Sequence, residues 1–263
     1  MTLLYYDRCF LDHDTSGHPE CSERLTAVSQ HLSETGLDRQ CARPPWQAVS
    51  DERLARVHDP AYVQQVERFA GLGGGHIEAD TIISHQSYDV ARRAAGAVCD
   101  AVERVVADQD QQALCLVRPP GHHALEQAAM GFCLFNNIAV AARLATRELD
   151  VGRVLIIDWD VHHGNGTQAT FWEDERVAFL SLHRWPFYPG TGRHDETGQG
   201  DGLGATSNVP LPAGVERREY FDRFQRALSD LAARIQPQLL LISAGFDAHR
   251  LDPIGSLGLE TED

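Results

Sequence analysis

Asp158-Trp-Asp-Val-His-His163 places two carboxylates and two imidazoles within six residues, directly after the apolar run Val154–Ile157. A short run of that kind reads as a buried strand. Side chains alternate along an extended chain, so Asp158, Asp160 and His162 share one side. Carboxylate oxygens and an imidazole nitrogen together suit a divalent metal with coordination positions left open. The spacing does not name the metal. A polar turn that merely closes a strand is the alternative, yet a turn has no need of three potential ligands at spacing two.

Three further apolar runs each lead at once into reactive residues. Ala113–Val117 runs into Arg118-Pro-Pro-Gly-His-His-Ala124, Val177–Leu180 into Ser181-Leu-His-Arg184, and Leu239–Ile242 into Ser243-Ala-Gly-Phe-Asp-Ala-His249. As strands of a parallel sheet, their carboxyl ends would share the edge where open α/β folds place ligands. Asp247 is then the best-placed further metal ligand, with capping of a turn as its alternative role. His122 and His123, held by a stiff Pro-Pro-Gly turn, suit proton transfer beside a metal. Asp158 can orient one imidazole and Asn165 the other without added charge, and such unequal partners divide acid and base roles.

The elements that must position these residues follow from alternating periods. Strands are expected at Leu3–Tyr6, Ala113–Val117, Val154–Ile157, Val177–Leu182 and Gln238–Ser243. Helical patterns cover Glu20–Ser33, a stretch capped by Ser84 and running to Val106, Asn136–Leu149, Thr167–Trp172 and Arg217–Ile235. A long loop with several glycines and prolines joins His183 to Gly214. Strands separated by helices predict an α/β architecture, a parallel sheet flanked by helices, in one domain over residues 1–263. Gly71-Leu-Gly-Gly-Gly75 follows a helix and lacks the Lys-Ser/Thr ending of a phosphate loop, so it reads as a flexible surface connection.

Composition narrows the classes. A hydrophobic share of 43% with 23% charged residues is that of a soluble globular protein. The net charge of -15 argues against a nucleic-acid partner and is compatible with a cationic substrate. No apolar run reaches membrane-spanning length, and Met1–Asp7 lacks the basic start and apolar core of a signal peptide. Six scattered cysteines without a Cys-x-x-Cys pair read as reduced thiols, so a cytoplasmic location is expected.

Arg118-Pro-Pro-Gly-His-His123, Gly131-Phe-Cys-Leu-Phe-Asn-Asn137, Asp158 through Thr167, Phe187-Tyr-Pro-Gly-Thr-Gly192 and Ser243 through His249 together resemble the histone deacetylase family. His18-Pro-Glu20 followed by Glu23-Arg24 resembles its N-terminal loop. Asn165 points to the class II members and their bacterial relatives, which include acetylpolyamine amidohydrolases. The resemblance implies the three-layer arginase–deacetylase fold. It also implies hydrolytic removal of acetyl or another short acyl group from acyl-lysine or from acylated amines and polyamines.

The same resemblance makes Asp160, His162 and Asp247 zinc ligands, with Fe2+ or Co2+ compatible with the same donors. It makes His123 the general base and acid, and His122 an electrostatic partner of Asp158. Phe132 and Tyr188 would wall an acyl-lysine channel floored by Gly131. Structural potassium would be held by Ser181, Leu182 and the backbone of Asp158, Asp160 and His162, with Phe171 and Val177 in a second potassium site. The partners implied are an acetylated lysine peptide or a small acetylated amine, and a homo-oligomer stays open.

The family also carries a carbonyl-donating tyrosine in a glycine-rich loop well beyond the Asp247 motif, whereas residues 248–263 hold no tyrosine. The expectation is a chain cut short of that loop and slow for want of one oxyanion donor, a loss typically on the order of 10²–10³ in rate. Two other classes compete. One is an acyl-amine binding protein that keeps the metal pocket without turnover. The other is a binuclear manganese ureohydrolase, whose second metal needs carboxylates that Asn165 and the His162-His163 pair do not supply.

Overall fold

Short apolar runs buried on both faces belong to parallel sheets covered by helices. The computed structural model describes residues 1–263 as two compact units, Met1–Leu149 and Asp150–Asp263. The first holds β1 (Thr2–Tyr5), α1 (Ser22–Glu34), β2 (Cys41–Ala42), α2 (Asp51–Leu54), α3 (Pro60–Gly71), β3 (Gly74–Glu78), β4 (Thr81–Ser84), α4 (Ser87–Val106), β5 (Ala113–Cys115) and α5 (Asn137–Glu148). The second holds β6 (Val154–Asp158), α6 (Asn165–Thr170), β7 (Val177–Arg184), β8 (Thr206–Leu211), α7 (Arg217–Ile235) and β9 (Leu239–Ser243).

In the second unit all strands run parallel in the order β8-β7-β6-β9. Asp158 lies opposite Ser181 on β7 and Ser243 on β9, so the residues after these strands leave from one edge. Every residue of β6 is buried. Leu155, Ile157, Leu180 and Leu182 pack with Leu211, Tyr220 and Leu231 beneath α7. Full burial of each large aliphatic side chain contributes roughly 1.5–3 kcal/mol. No helix is long and apolar enough to cross a membrane.

In the first unit β1 lies between β2 and β5 and is parallel to both, with Leu4 opposite Leu114. Leu3, Tyr5, Phe10, Trp46, Val90, Ala94 and Ala97 form its core. The Arg118–His123 segment leaves this sheet, whereas the other three reactive segments leave the four-stranded one.

Three local expectations give way. Ser84 does not cap α4; it ends β4, and its N–H donates to Ser87 Oγ at 2.7 Å. Gly74 and Gly75 are not a loose connection but the start of β3, antiparallel to β4. A Cβ on Gly74 would collide with the Ile83 carbonyl, so only glycine lets the two strands approach. Inside the expected loop His183–Gly214, residues Thr206–Leu211 pair with β7 as β8, an edge strand that tolerates Pro210.

Buried histidines tie distant elements. His58 Nδ1 donates to the Leu125 carbonyl at 2.9 Å, and Nε2 accepts the Asn136 N–H at 2.9 Å. Burial pulls His58, His13 and His183 each down to about 4, although Glu20 opposes it at His13 and the Gly192 carbonyl opposes it at His183. A depressed histidine leaves stability intact above its unfolded value near 6.5 and removes it as the pH falls toward 4, because only the unfolded chain takes up the proton. Each displacement of this size is worth about 3 kcal/mol at the acid limit. Urea unfolding should therefore show a steep loss of stability between pH 6.5 and 4, and His58→Gln should flatten that slope. An unchanged slope in the variant would remove His58 from the account.

Candidate active site

In the second unit the edge residues after β6 and β9 form a tight cluster. Ligand atoms of Asp160, His162 and Asp247 all lie within 4.8 Å of one another. His162 Nδ1 is 2.9 Å from an oxygen of Asp160 and 3.0 Å from one of Asp247. Backbone donors hold both carboxylates: His162 N–H reaches Asp160 at 2.8 Å and Val161 N–H reaches Asp247 at 2.8 Å. Gly245 is a glycine because a Cβ there would strike the Asp160 carboxylate.

Asp158 does not join the cluster. It is fully buried, and its carboxylate accepts the Asp160 N–H at 3.2 Å, which shapes the turn carrying the ligands. Asn165 opens α6 and donates its N–H to the His163 carbonyl at 2.8 Å.

The electrostatics of the cluster favour positive charge. Burial disfavours a charged His162, but hydrogen bonds and charge from Asp160 and Asp247 lift it to about 10. Burial and the Asp160 charge push Asp247 up to about 6, against the pull of His162 and the Val161 N–H. Two carboxylates crowded on one imidazole want positive charge between them. The donor atoms of a tetrahedral zinc lie roughly 3.3 Å apart, given bonds of about 2.0–2.2 Å. Two hard oxygens and one nitrogen at this spacing fit such an ion, and they equally fit iron or cobalt.

A second layer holds the Phe187–Gly192 loop. His162 stacks on Phe187 at 5.1 Å between ring centroids, and Tyr188 meets it edge-on at 6.0 Å. His163 lies 2.8 Å from Thr191 Oγ1 and 3.0 Å from Gln168 Oε1. Gln168 donates to Glu196 at 2.7 Å, Glu196 accepts the Gly192 N–H at 3.1 Å, and His183 donates to the Gly192 carbonyl at 2.9 Å. The sequence singled out neither Gln168 nor Glu196, and named His183 only as part of the segment Ser181–Arg184. The available signal was an acid four residues after Gly192 in a loop otherwise rich in glycine. Ser181 Oγ is 3.0 Å from His183 Nδ1, and Leu182, Phe171 and Val177 are all buried nearby in the chain.

The first unit presents the imidazole pair. His122 and His123 lie 4.0 Å apart between ring centroids. Gly131 has φ +55° and lies against the His123 ring, where a Cβ would collide. Phe132 follows with φ +70°, a conformation costly for an aromatic residue. Its N–H donates to Thr81 Oγ1 at 3.1 Å, and the His18 ring meets its ring edge-on at 4.5 Å.

Parallel sheets flanked by helices, with an Asp–His–Asp donor set on a strand-end edge, fit the arginase–deacetylase fold. A profile of the histone deacetylase domain matches residues 18–263, and the chain belongs to that family of metal-dependent amide hydrolases. It is 40% identical to a probable deacetylase of Methanothermobacter thermautotrophicus, over 95% of this chain and 75% of that one. It is 41% identical to the human polyamine deacetylase HDAC10, over 97% of this chain and 40% of the human protein. The crystal structure of the HDA15 HD domain superposes with a TM-score of 0.93 at 38% identity, covering 97% of this chain and 77% of that one.

Asp160→Ala and Asp247→Ala should each abolish stoichiometric metal binding measured by mass spectrometry. Gly245→Ala, which displaces the Asp160 carboxylate from outside the donor set, should weaken zinc about 10- to 100-fold in a competition titration. Metal retained at one per chain in both aspartate variants would sink the ligand assignment.

Proposed function

We propose that this chain is a zinc-dependent amidohydrolase that removes acetyl or another short acyl group from acyl-lysine or from small acylated amines such as polyamines. The observation that carries the reading is the Asp160–His162–Asp247 cluster in a chain of the deacetylase family. These three side chains would hold the ion. Bound there, zinc supplies Lewis-acid polarisation of an amide carbonyl and a lowered pKa for water.

The protein's own groups do the rest. His123, 3% exposed and packed on Gly131, takes the proton of the attacking water and returns it to the leaving amine. His122, one ring away, tempers that charge as the electrostatic partner of Asp158, and Asp158 and Asn165 keep the orienting roles their chemistry suits. Phe132 and Tyr188 wall the channel for a thin aliphatic stem, as aromatic faces suit. Potassium at Ser181, Leu182 and the backbone of Asp158, Asp160 and His162, with a second ion at Phe171 and Val177, is part of the same reading. So is a cytoplasmic location. The family match spans both units, which supports one catalytic domain.

Two observations bear on the substrate. The net charge of -15 favours a cationic leaving amine, and the human relative is named a polyamine deacetylase. The test is acetate release from an acetyl-lysine peptide and from N-acetylated polyamines, with loss on chelation and recovery on adding zinc. His123→Ala should lose about 10²–10⁴-fold in kcat while still binding a hydroxamate. A metal-loaded chain that binds hydroxamate but hydrolyses none of these substrates would replace the reading with that of an acyl-amine binding protein.

A further inference from the structure

Glu20 and Arg118, both in the first unit, have no part in the reaction outlined above, yet they form a deeply buried ion pair, 1% and 3% exposed. The guanidinium meets the carboxylate side-on, Nε to Oε1 at 2.5 Å and Nη2 to Oε2 at 2.8 Å. Nη1 donates to the Phe10 carbonyl at 2.9 Å, and Nη2 also donates to Thr15 Oγ1 at 3.1 Å. Thr15 in turn donates its hydroxyl to the Glu20 carbonyl. His13 lies with Nε2 3.7 Å from Glu20 and Nδ1 2.7 Å from Ser87 Oγ.

Stability does not account for a pair so deep. Taking two ions out of water costs several kcal/mol each, and apolar residues of similar volume are often as stable or more so. What the guanidinium fork supplies is direction, because its donors lie in one fixed plane. Arg118 immediately precedes Pro119-Pro-Gly-His-His123. The far side of this short segment is held as well: Asn137 Nδ2 donates to the Pro119 carbonyl at 3.1 Å. Gly121 lies so close to the Phe135–Asn137 backbone that a Cβ would come within 2.7 Å of the Asn137 nitrogen. The imidazole pair therefore stands on a segment fixed by α5 on one side and by the Arg118 fork on the other.

We propose that Glu20 and Arg118 are positioning residues for His122 and His123, the buried fork setting where the loop starts and hence where both rings stand. Neither residue is catalytic. The kinetic consequence rests on the deacetylase reading; the structural consequence does not.

Three variants test this. Arg118→Lys keeps the charge and loses the fork, Glu20→Gln keeps the shape and loses the charge, and Glu20→Met with Arg118→Met replaces the pair by apolar residues of similar length. In each, kcat for an acetyl-lysine peptide should fall at least about tenfold with KM within about twofold, because small displacements of catalytic groups are costly. Metal should stay at one per chain. The double variant should regain the thermal midpoint lost in Glu20→Gln yet keep the kcat defect, which separates positioning from stability. In substrate-free protein, the ring cross-peaks of His122 and His123 in carbon–proton correlation spectra should move in Arg118→Lys. Wild-type kcat in Arg118→Lys, or a kcat that returns with the thermal midpoint in the double variant, would overturn the proposal. If the unaltered chain is inactive, the functional reading fails instead, and the histidine cross-peaks alone decide: movement upholds positioning and unmoved peaks reject it.

Discussion

Two carboxylates held against one imidazole nitrogen impose the main constraint on the second unit. Asp160 and Asp247 repel one another across a partly buried space, and nothing in an apolar core would bring them together. The chain meets this by aiming backbone N–H groups at each of them, from His162 and Val161, and by letting Asp158 fix the turn between. The Val161 N–H can reach Asp247 because β6 and β9 are neighbours in parallel register. Sheet order, turn shape and the missing side chain of Gly245 each let the two like charges be assembled.

The imidazole pair in the first unit is built by a different route. There the difficulty is orientation. Gly131 gives the His123 ring room by having no Cβ, while Phe132 is kept in a left-handed conformation by the Thr81 hydroxyl and the His18 ring. Strained backbone of this kind persists only where surrounding contacts over-determine it. The β3–β4 hairpin, which supplies Thr81, is accordingly part of the site's support.

What was legible in the sequence was local. The run Val154–Ile157 and the spacing of Asp160 and His162 sit in one segment, so period and chemistry could be read together. Asp247, His122 and His123 stand out because each lies in a segment directly after an apolar run, and the structure brings Asp247 to Asp160 and His162. The Gln168–Glu196 and His163–Thr191 contacts were not legible, since each joins residues 28 apart whose meeting depends on how a loop folds back. Strand β8 was hidden because Ser207, Asn208 and Pro210 break its apolar alternation, and pairing with β7 decides its conformation. Ser84 looked like a cap because its type suits one; tertiary pairing in the hairpin overrode that local preference.

The order β8-β7-β6-β9 has a further consequence for how the protein comes into being. β6 and β7 are adjacent both in the chain and in the sheet, whereas β9, made after β8 and α7, must return to the opposite side of β6. Asp160 and Asp247 are 247 − 160 = 87 residues apart, so a nascent chain displays an incomplete chelate for several seconds at ribosomal speeds of about 5–20 residues per second. Only the arrival of β9 beside β6 turns two donors into three. A metal held by these three side chains would therefore be captured only after β9 has paired with β6, and its uptake would date that pairing.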